Sequence, residues 1–168
     1  MAISTGHPID DTSTVGAVAR PPLLFLGALL LGFAIDHLLR LPFPIGRTGW
    51  LHWSSAANAL CLIAAGIAFF AAGIRNFVHA ETPVQGTRPT RVLVTSGVHA
   101  WSRNPIYLGM FLIYVGIGLM VRSPWILILA LPLAAIMQLG VVAREEAYLD
   151  RRFGAAWRDY KARVGRWL

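Results

Sequence analysis

Apolar residues gather in four long stretches of the chain, with polar segments before, between and after them. The stretches cover residues 21–35, 53–74, 105–121 and 123–143, and none of them contains a charged side chain. A helix needs about 20 apolar residues to cross a bilayer, within a range of about 17–25. The pattern therefore predicts an all-α integral membrane protein with about four transmembrane helices.

A tight helical hairpin is predicted between the third and fourth stretches, because only Arg122, Ser123 and Pro124 separate their helices. Proline cannot continue a helix but suits the first turn of the next one. Several small residues occur inside the stretches: Gly27, Gly32, Ala64, Ala65, Gly66, Gly73, Gly109, Gly116 and Gly118. They favour close approach of helix backbones in lipid.

Composition narrows the class of protein further. The chain is 56% hydrophobic and 14% charged, whereas a soluble domain carries about 25% charged residues. These values exclude a disordered tail, a coiled coil and an ordinary soluble enzyme. One cysteine, Cys61, excludes an internal disulfide and a site built from several cysteines. The five histidines have no metal-ligand spacing, so we expect no metal site.

The basic residues predict the orientation in the membrane. The net charge is +7, and 14 of the 15 basic residues are arginine. The loop 75–104 and the tail 144–168 each carry a net charge of +3. Four spans place both segments on one side, which the positive-inside bias makes cytoplasmic, together with both termini. In a bacterium this would be the inner membrane, and we expect no nucleic-acid partner.

The start of the third stretch is a candidate anion site. The loop 75–104 is rich in proline, glycine and threonine, with one β-prone run at 91–95, and it ends in Arg103-Asn104-Pro105. Asparagine is a good N-cap and proline is favoured at the next position. The free N–H groups of such a helix start can bind a carboxylate or a phosphate. A plain helix cap is the other interpretation.

The tail begins with two adjacent acids, Glu145 and Glu146, at the end of the fourth stretch. Carboxylates at this depth are costly unless they are solvated or paired. We expect them to contact Arg103 or a cationic ligand, or else to lie at a solvated helix end. Beyond them, an apolar stripe at helical spacing predicts an amphipathic helix at the membrane interface or capping the bundle. Its members are Leu149, Phe153, Trp157, Tyr160, Val164 and Trp167.

Taken together, these segments resemble a known family. Residues 93–109 read LVTSGVHAWSRNPIYLG, and the acidic pair is followed at the expected spacing by Phe153-Gly154 and Tyr160. The combination resembles the isoprenylcysteine carboxyl methyltransferase family, part of a wider group that includes phospholipid methyltransferases. The resemblance covers residues 75–168. The apolar pattern and this resemblance together predict three parts: a polar segment (1–20), two transmembrane helices (21–74) and a methyltransferase core (75–168).

The resemblance implies an enzyme that uses S-adenosylmethionine without a Rossmann domain and releases S-adenosylhomocysteine. The cofactor would lie on the cytoplasmic side, between the loop, the start of the third span and the end of the fourth. The residues implied to bind it are Gln85, Arg91, Val92, Leu93, Val94, His99, Arg103, Asn104, Pro105, Ile106, Tyr107 and Glu145. The residues implied to act in catalysis by positioning the substrate are Arg144, Glu146 and Arg163.

The chain departs from the family pattern at three positions. Asn104 stands where the family has histidine, and His99 stands where it often has tyrosine. Val141 stands where the prenylcysteine enzymes have an arginine that contacts the substrate. We therefore expect a lipidic or small apolar acceptor, with a carboxylate, thiol or amine, that enters from the bilayer. Two alternatives remain: a non-catalytic membrane scaffold of the same fold, and a nicotinamide-dependent membrane enzyme similar to the sterol reductases.

Overall fold

The described structure, a computed structural model, covers residues 20–44, 49–83 and 90–168. These ranges are helical and contain no strand, which confirms the all-α prediction for this part of the chain. The β-prone run at 91–95 is irregular chain. The helices are α1 (Pro21–Leu38), α2 (Trp50–His79), α3 (Pro105–Met120), α4 (Pro124–Ile136), α5 (Ala143–Phe153) and α6 (Ala155–Arg163). A 3₁₀ turn occupies Gly97–Ala100, and a π-helix occupies Met137–Val142.

Within the described ranges, three helical segments are long and apolar enough to cross a membrane. They are Pro21–Leu38, Ser54–His79 and Pro124–Phe153, the last formed by α4, the π-helix and α5 in one continuous run. Helix α3 is equally apolar but has only 16 residues. The helix of the fourth stretch thus continues into the tail without a break. Helix α2 extends to His79, so the loop after it begins at Ala80 and not at the predicted residue 75.

Helices α2 and α3 pack antiparallel through glycine. A Cβ atom on Gly66 would lie 2.6 Å from the carbonyl oxygen of Gly109, and one on Gly109 would lie 2.6 Å from that of Gly66. Gly73 meets Ile106 nearer one end of the interface. Along this interface the residue numbers of α2 fall as those of α3 rise, so the two helices run antiparallel. The expected use of small residues for close helix packing is confirmed here.

The predicted hairpin between α3 and α4 is also present. Arg122 adopts a positive φ of 59°, and the N–H of Ser123 donates to the carbonyl of Gly118 at 3.0 Å. The Ser123 hydroxyl then accepts from the N–H of Ile126 at 3.3 Å, capping α4, whose first residue is Pro124. The turn therefore holds α3 and α4 side by side, and their far ends meet near the tail.

The apolar stripe in the tail does not form one helix, contrary to the prediction. Gly154 adopts a positive φ of 53° and separates α5 from α6. Trp157 and Tyr160 of α6 then fold back and pack against Tyr148 and Leu149 of α5. The chain after Arg163 is not helical, because it runs instead across the start of α3.

The glycine contact yields a stability prediction. Gly109→Ala places a methyl group against backbone atoms of α2, which cannot move aside as a flexible side chain can. We expect a loss of about 1–3 kcal/mol in the free energy of unfolding, measured by thermal unfolding in detergent. Gly27→Ala is the matched control, since nothing lies within 4 Å of a Cβ there. Equal melting of Gly109→Ala and wild type would contradict the packing described.

Candidate functional site

A buried hydroxyl–carboxylate pair joins α3 to α5. The Tyr107 hydroxyl donates to Oε1 of Glu145 at 2.7 Å. Only 3% of Glu145 is exposed. Its second oxygen, Oε2, is buried and has no hydrogen-bond partner among the described residues. A buried carboxylate oxygen without a partner is costly, so it marks a place where a donor from a ligand fits.

The neighbouring acid is held by two guanidinium groups. Arg103 Nη1 lies 2.9 Å from Oε1 of Glu146, and both side chains are about nine-tenths buried. Arg166 binds the same carboxylate through Nε and Nη2, at 2.9 and 2.6 Å. The predicted contact of the acidic pair with Arg103 is confirmed for Glu146. With two positive charges and one negative, this ion cluster carries a net charge of +1.

Arg103 keeps donor capacity beyond this ion pair. Its guanidinium lies over the Trp157 ring, 5.6 Å from the centroid. Its Nε is buried and has no hydrogen-bond partner within the described ranges. The unpartnered acceptor of the site is therefore Oε2 of Glu145, and the unpartnered donor is Nε of Arg103. The two side chains are connected indirectly, because Arg103 pairs with Glu146, the residue after Glu145.

The end of the tail closes over the start of α3. The N–H of Arg103 donates to the carbonyl of Gly165, and Asn104 Nδ2 donates to the carbonyl of Arg166, each at 3.0 Å. Asn104 occupies the N-cap position of α3, as predicted, but its side chain makes no capping hydrogen bond. The side-chain cap predicted for Asn104 is therefore wrong.

A cavity of about 430 Å³ opens between α3 and the helix that follows the hairpin. Its lining residues are Leu108, Phe111, Ala134, Ala135, Gln138 and Trp167. The Trp167 ring packs edge-on against Phe111, with 5.9 Å between centroids. Two of these lining residues are next in sequence to residues of the polar site, because Trp167 follows Arg166 and Leu108 follows Tyr107.

Comparison with known proteins identifies the family of this chain. The family model for phospholipid methyltransferases matches residues 54–156. The chain belongs to the phospholipid methyltransferase family. The match runs from the start of the Ser54–His79 span to the start of α6, so it includes Arg103, Tyr107 and the acidic pair.

Curated relatives agree with this membership. Protein-S-isoprenylcysteine O-methyltransferase of Rattus norvegicus is 32% identical over 166 residues, covering 89% of this chain and 57% of the rat protein. The protein of the same name from Dictyostelium discoideum is 31% identical over 163 residues, covering 94% and 65%. The Saccharomyces cerevisiae protein is 36% identical over 74 residues. The chain thus spans less than two thirds of the length of these relatives.

Several residues that the family resemblance implied lie together in this site. Arg103, Asn104, Tyr107 and Glu145 are all within or beside the buried cluster, and Glu146 is held by its arginines. Pro105 and Ile106 form the first turn of α3, where Pro105 is buried and Ile106 packs on α2. Gln85 lies outside the described residues.

The loop residues 91–94 divide between the interior and the surface. Val94 is buried and Leu93 packs against the Tyr148–Leu149 cluster, whereas Arg91 and Val92 are exposed. The loop is held at its start by the Thr90 N–H, which donates to the Tyr148 hydroxyl at 3.2 Å. Only Leu93 and Val94 therefore offer apolar surface on the inner side of this loop.

Two residues implied to act in catalysis lie on the surface. Arg144 is exposed on α5, and Arg163 is exposed at the end of α6, where its Nε donates to the Asp159 carbonyl at 3.1 Å. Sequence reasoning missed Arg166, which supplies the second guanidinium of the ion cluster. No spacing pattern could have singled it out, because it reaches Glu146 only after the chain turns back across α3.

His99 anchors the loop to the end of α2. Its Nδ1 lies 3.2 Å from Asn76 Nδ2, an amide donor, and its ring packs edge-on against Phe77 at 5.1 Å. Asn76 Nδ2 also donates to the Ser96 carbonyl at 2.7 Å. Gly97 has a positive φ of 59° and lies so close to Asn76 that a Cβ atom there would clash. Burial lowers the pKa of His99 to about 4.

The lowered pKa predicts an acid-sensitive loop anchor. Unfolding returns His99 to a pKa near 6.5, so the unfolded chain takes up a proton that the folded protein excludes until about pH 4. Its stabilising contribution is complete above pH 6.5 and is lost as pH falls toward 4. We expect thermal unfolding in detergent to show a steeper loss of stability below pH 6.5 for wild type than for His99→Gln. His79→Gln, at an exposed position, is the control, and parallel pH curves for His99→Gln and wild type would contradict this assignment.

Proposed function

We propose that this chain is an integral-membrane methyltransferase that uses S-adenosylmethionine to methylate a lipidic or small apolar acceptor. The observation that carries the proposal is the buried carboxylate of Glu145, whose Oε2 has no partner in the described chain, together with the unpartnered Nε of Arg103. Both residues lie inside the region matched by the phospholipid methyltransferase family model. The relatives named protein-S-isoprenylcysteine O-methyltransferase support the same type of reaction.

The residues present fit the proposed methyl donor. Oε2 of Glu145 accepts a hydrogen bond from a ribose hydroxyl or an amine, both of which S-adenosylmethionine carries. Nε of Arg103 donates to a carboxylate in a charge-assisted hydrogen bond. Leu93 and Val94 offer apolar surface for the adenine ring. Each unpartnered group of the site thus has a matching group on this molecule.

When bound, S-adenosylmethionine supplies a methyl group activated by a sulfonium sulfur. Methyl transfer is an in-line displacement, so the protein mainly holds acceptor atom, methyl carbon and sulfur in line, which is worth about 7–11 kcal/mol. Tyr107 fixes the position of the Glu145 carboxylate through its hydrogen bond. Phe111 and Trp167 line the cavity and pack edge-on against each other. The chain itself forms no covalent bond to the methyl group.

We also propose that α3 is a fourth span. Its 16 residues reach about 24 Å, and the tight turn at Arg122 ties its end to α4, which crosses the membrane beside it. The loop and the tail then lie on one side with both termini, and their net charges of +3 make that side cytoplasmic. The methyl donor would reach the site from the cytoplasm, and the acceptor would reach it from the bilayer.

Binding of S-adenosylhomocysteine, the demethylated product of the methyl donor, tests the cofactor site. We expect S-adenosylhomocysteine to bind the purified protein saturably by calorimetry in detergent. Glu145→Gln keeps the shape of the side chain but removes the charge, and a hydrogen bond to a charged group contributes about 1.5–3 kcal/mol. The affinity of this variant should therefore fall about tenfold or more. Asp159→Asn, an exposed acid on α6, is the control. Unchanged affinity in a folded Glu145→Gln variant would contradict the assignment.

The stability of the methylated product in base tests which group of the acceptor receives the methyl group. The protein in phosphatidylcholine nanodiscs is given S-adenosylmethionine with a labelled methyl group and an S-farnesylcysteine with a free carboxylate. A methyl ester releases labelled methanol on treatment with base, whereas a methylated amine keeps the label. We expect base-labile product with the wild type, and a loss of about tenfold or more with Glu145→Gln. Base-stable label would move the proposal to the amine of the same molecule, and the absence of labelled product would contradict it.

A further inference from the structure

One polar side chain points into an otherwise apolar cavity. The 430 Å³ cavity between α3 and the Pro124–Phe153 helix is lined by aliphatic and aromatic side chains together with the carboxamide of Gln138. Gln138 lies near the middle of this span, 14 residues after Pro124. Its Oε1 is buried and has no hydrogen-bond partner among the described residues.

The unpaired Oε1 of Gln138 lowers the stability of the fold, and side-chain packing does not explain why a glutamine is present here. A carbonyl oxygen taken out of water and left unpaired destabilises the fold, and lipid provides no donor to replace the water. An aliphatic residue such as the adjacent Leu139 would fill the same helix position without that cost. Gln138 also lies inside the π-helix Met137–Val142, whose wide turn is confirmed by the Ala143 N–H donating to the Gln138 carbonyl. Such turns are frequent at functional sites.

The cavity leads toward the proposed site of methyl transfer. Trp167 lines the cavity and directly follows Arg166, which holds Glu146. Gln138 lies seven residues before Glu145, or about 10 Å along the helix. A molecule that fills the cavity therefore lies beside Gln138 and Trp167, and Trp167 is the next residue after Arg166 of the ion cluster.

We infer that Gln138 is a specificity-determining residue, which selects methyl acceptors that carry a hydrogen-bond donor, a hydroxyl or an N–H, on an otherwise apolar body. The inference rests on the proposed methyltransferase function. Such an acceptor fills the apolar lining and supplies the hydrogen that Oε1 lacks. A purely hydrocarbon body, or one with only an ether oxygen, leaves Oε1 unpaired and binds less well.

Two matched photoreactive probes test this inference. One is a 15-carbon isoprenoid alcohol with a diazirine, and the other is its O-methyl ether, which accepts but cannot donate. Each is added to the protein in phosphatidylcholine nanodiscs, and cross-linked peptides are quantified by mass spectrometry. We expect the alcohol to label the segments around Ala134 and Trp167 about tenfold more than the ether does. Gln138→Met, similar in length but apolar, should reduce alcohol labelling to the ether level.

Control variants separate the possible outcomes. Leu139→Ala changes the next residue, which is 72% exposed, and should label like wild type. Ala135→Leu fills the cavity and should reduce labelling by both probes. S-adenosylhomocysteine binding is measured on every sample and also reports folding of the variants. Equal labelling by alcohol and ether, or a preference retained in Gln138→Met, overturns this inference while the methyltransferase proposal stands. Failure of wild type to bind S-adenosylhomocysteine overturns the proposed function, and with it the acceptor role of the cavity.

Discussion

The ion cluster around Glu146 connects three segments that are far apart in sequence. Arg103 comes from the loop before α3, Glu146 from the helix after the hairpin, and Arg166 from the end of the tail. Removing one partner from a buried ion pair costs about 3–5 kcal/mol, because the remaining charge stays buried. The positions of the loop and tail relative to α3 therefore depend on this carboxylate, and the Tyr107–Glu145 pair depends on those positions.

The membrane helices bring these three segments together. The close packing of α2 on α3 through Gly66 and Gly109 fixes where the loop leaves the membrane, and the turn at Arg122 fixes α4 beside α3. Helix α1 contributes from the far side, where Gly32 packs against Ile126. None of these contacts touches the polar site. Their effect is to hold the start of α3 and the end of the Pro124–Phe153 helix at the same level.

The sequence predicted the parts of this structure that depend on local chemistry. Apolar stretches located the long helices, and Pro124 located the hairpin, because both signals act within a few residues. The end of α2 was placed too early because Arg75 interrupts the apolar run, although a charged residue is compatible with a helix that emerges from lipid. The break at Gly154 went unpredicted because the apolar spacing continues across it.

The site was predictable only where the family motif passes through it. Arg103, Tyr107 and Glu145 lie in that motif and meet in the structure, whereas Arg166 and Gln138 belong to no local pattern. Both became visible only through tertiary contacts: an ion pair across the tail for one, and an unpaired oxygen in a cavity for the other.

The two adjacent acids have different roles, because Glu146 joins segments of the structure and Glu145 keeps an oxygen for a ligand. Glu146 is fully engaged, with both oxygens held by arginine, so its charge is used in joining the segments. Glu145 has one oxygen held by Tyr107 and one without a partner in the described chain. Val141, at the position where the family resemblance implies an arginine, is fully buried in the core. The positive charge available to an anionic group in this chain therefore comes from the loop and the tail, on the side where Glu145 keeps a free oxygen.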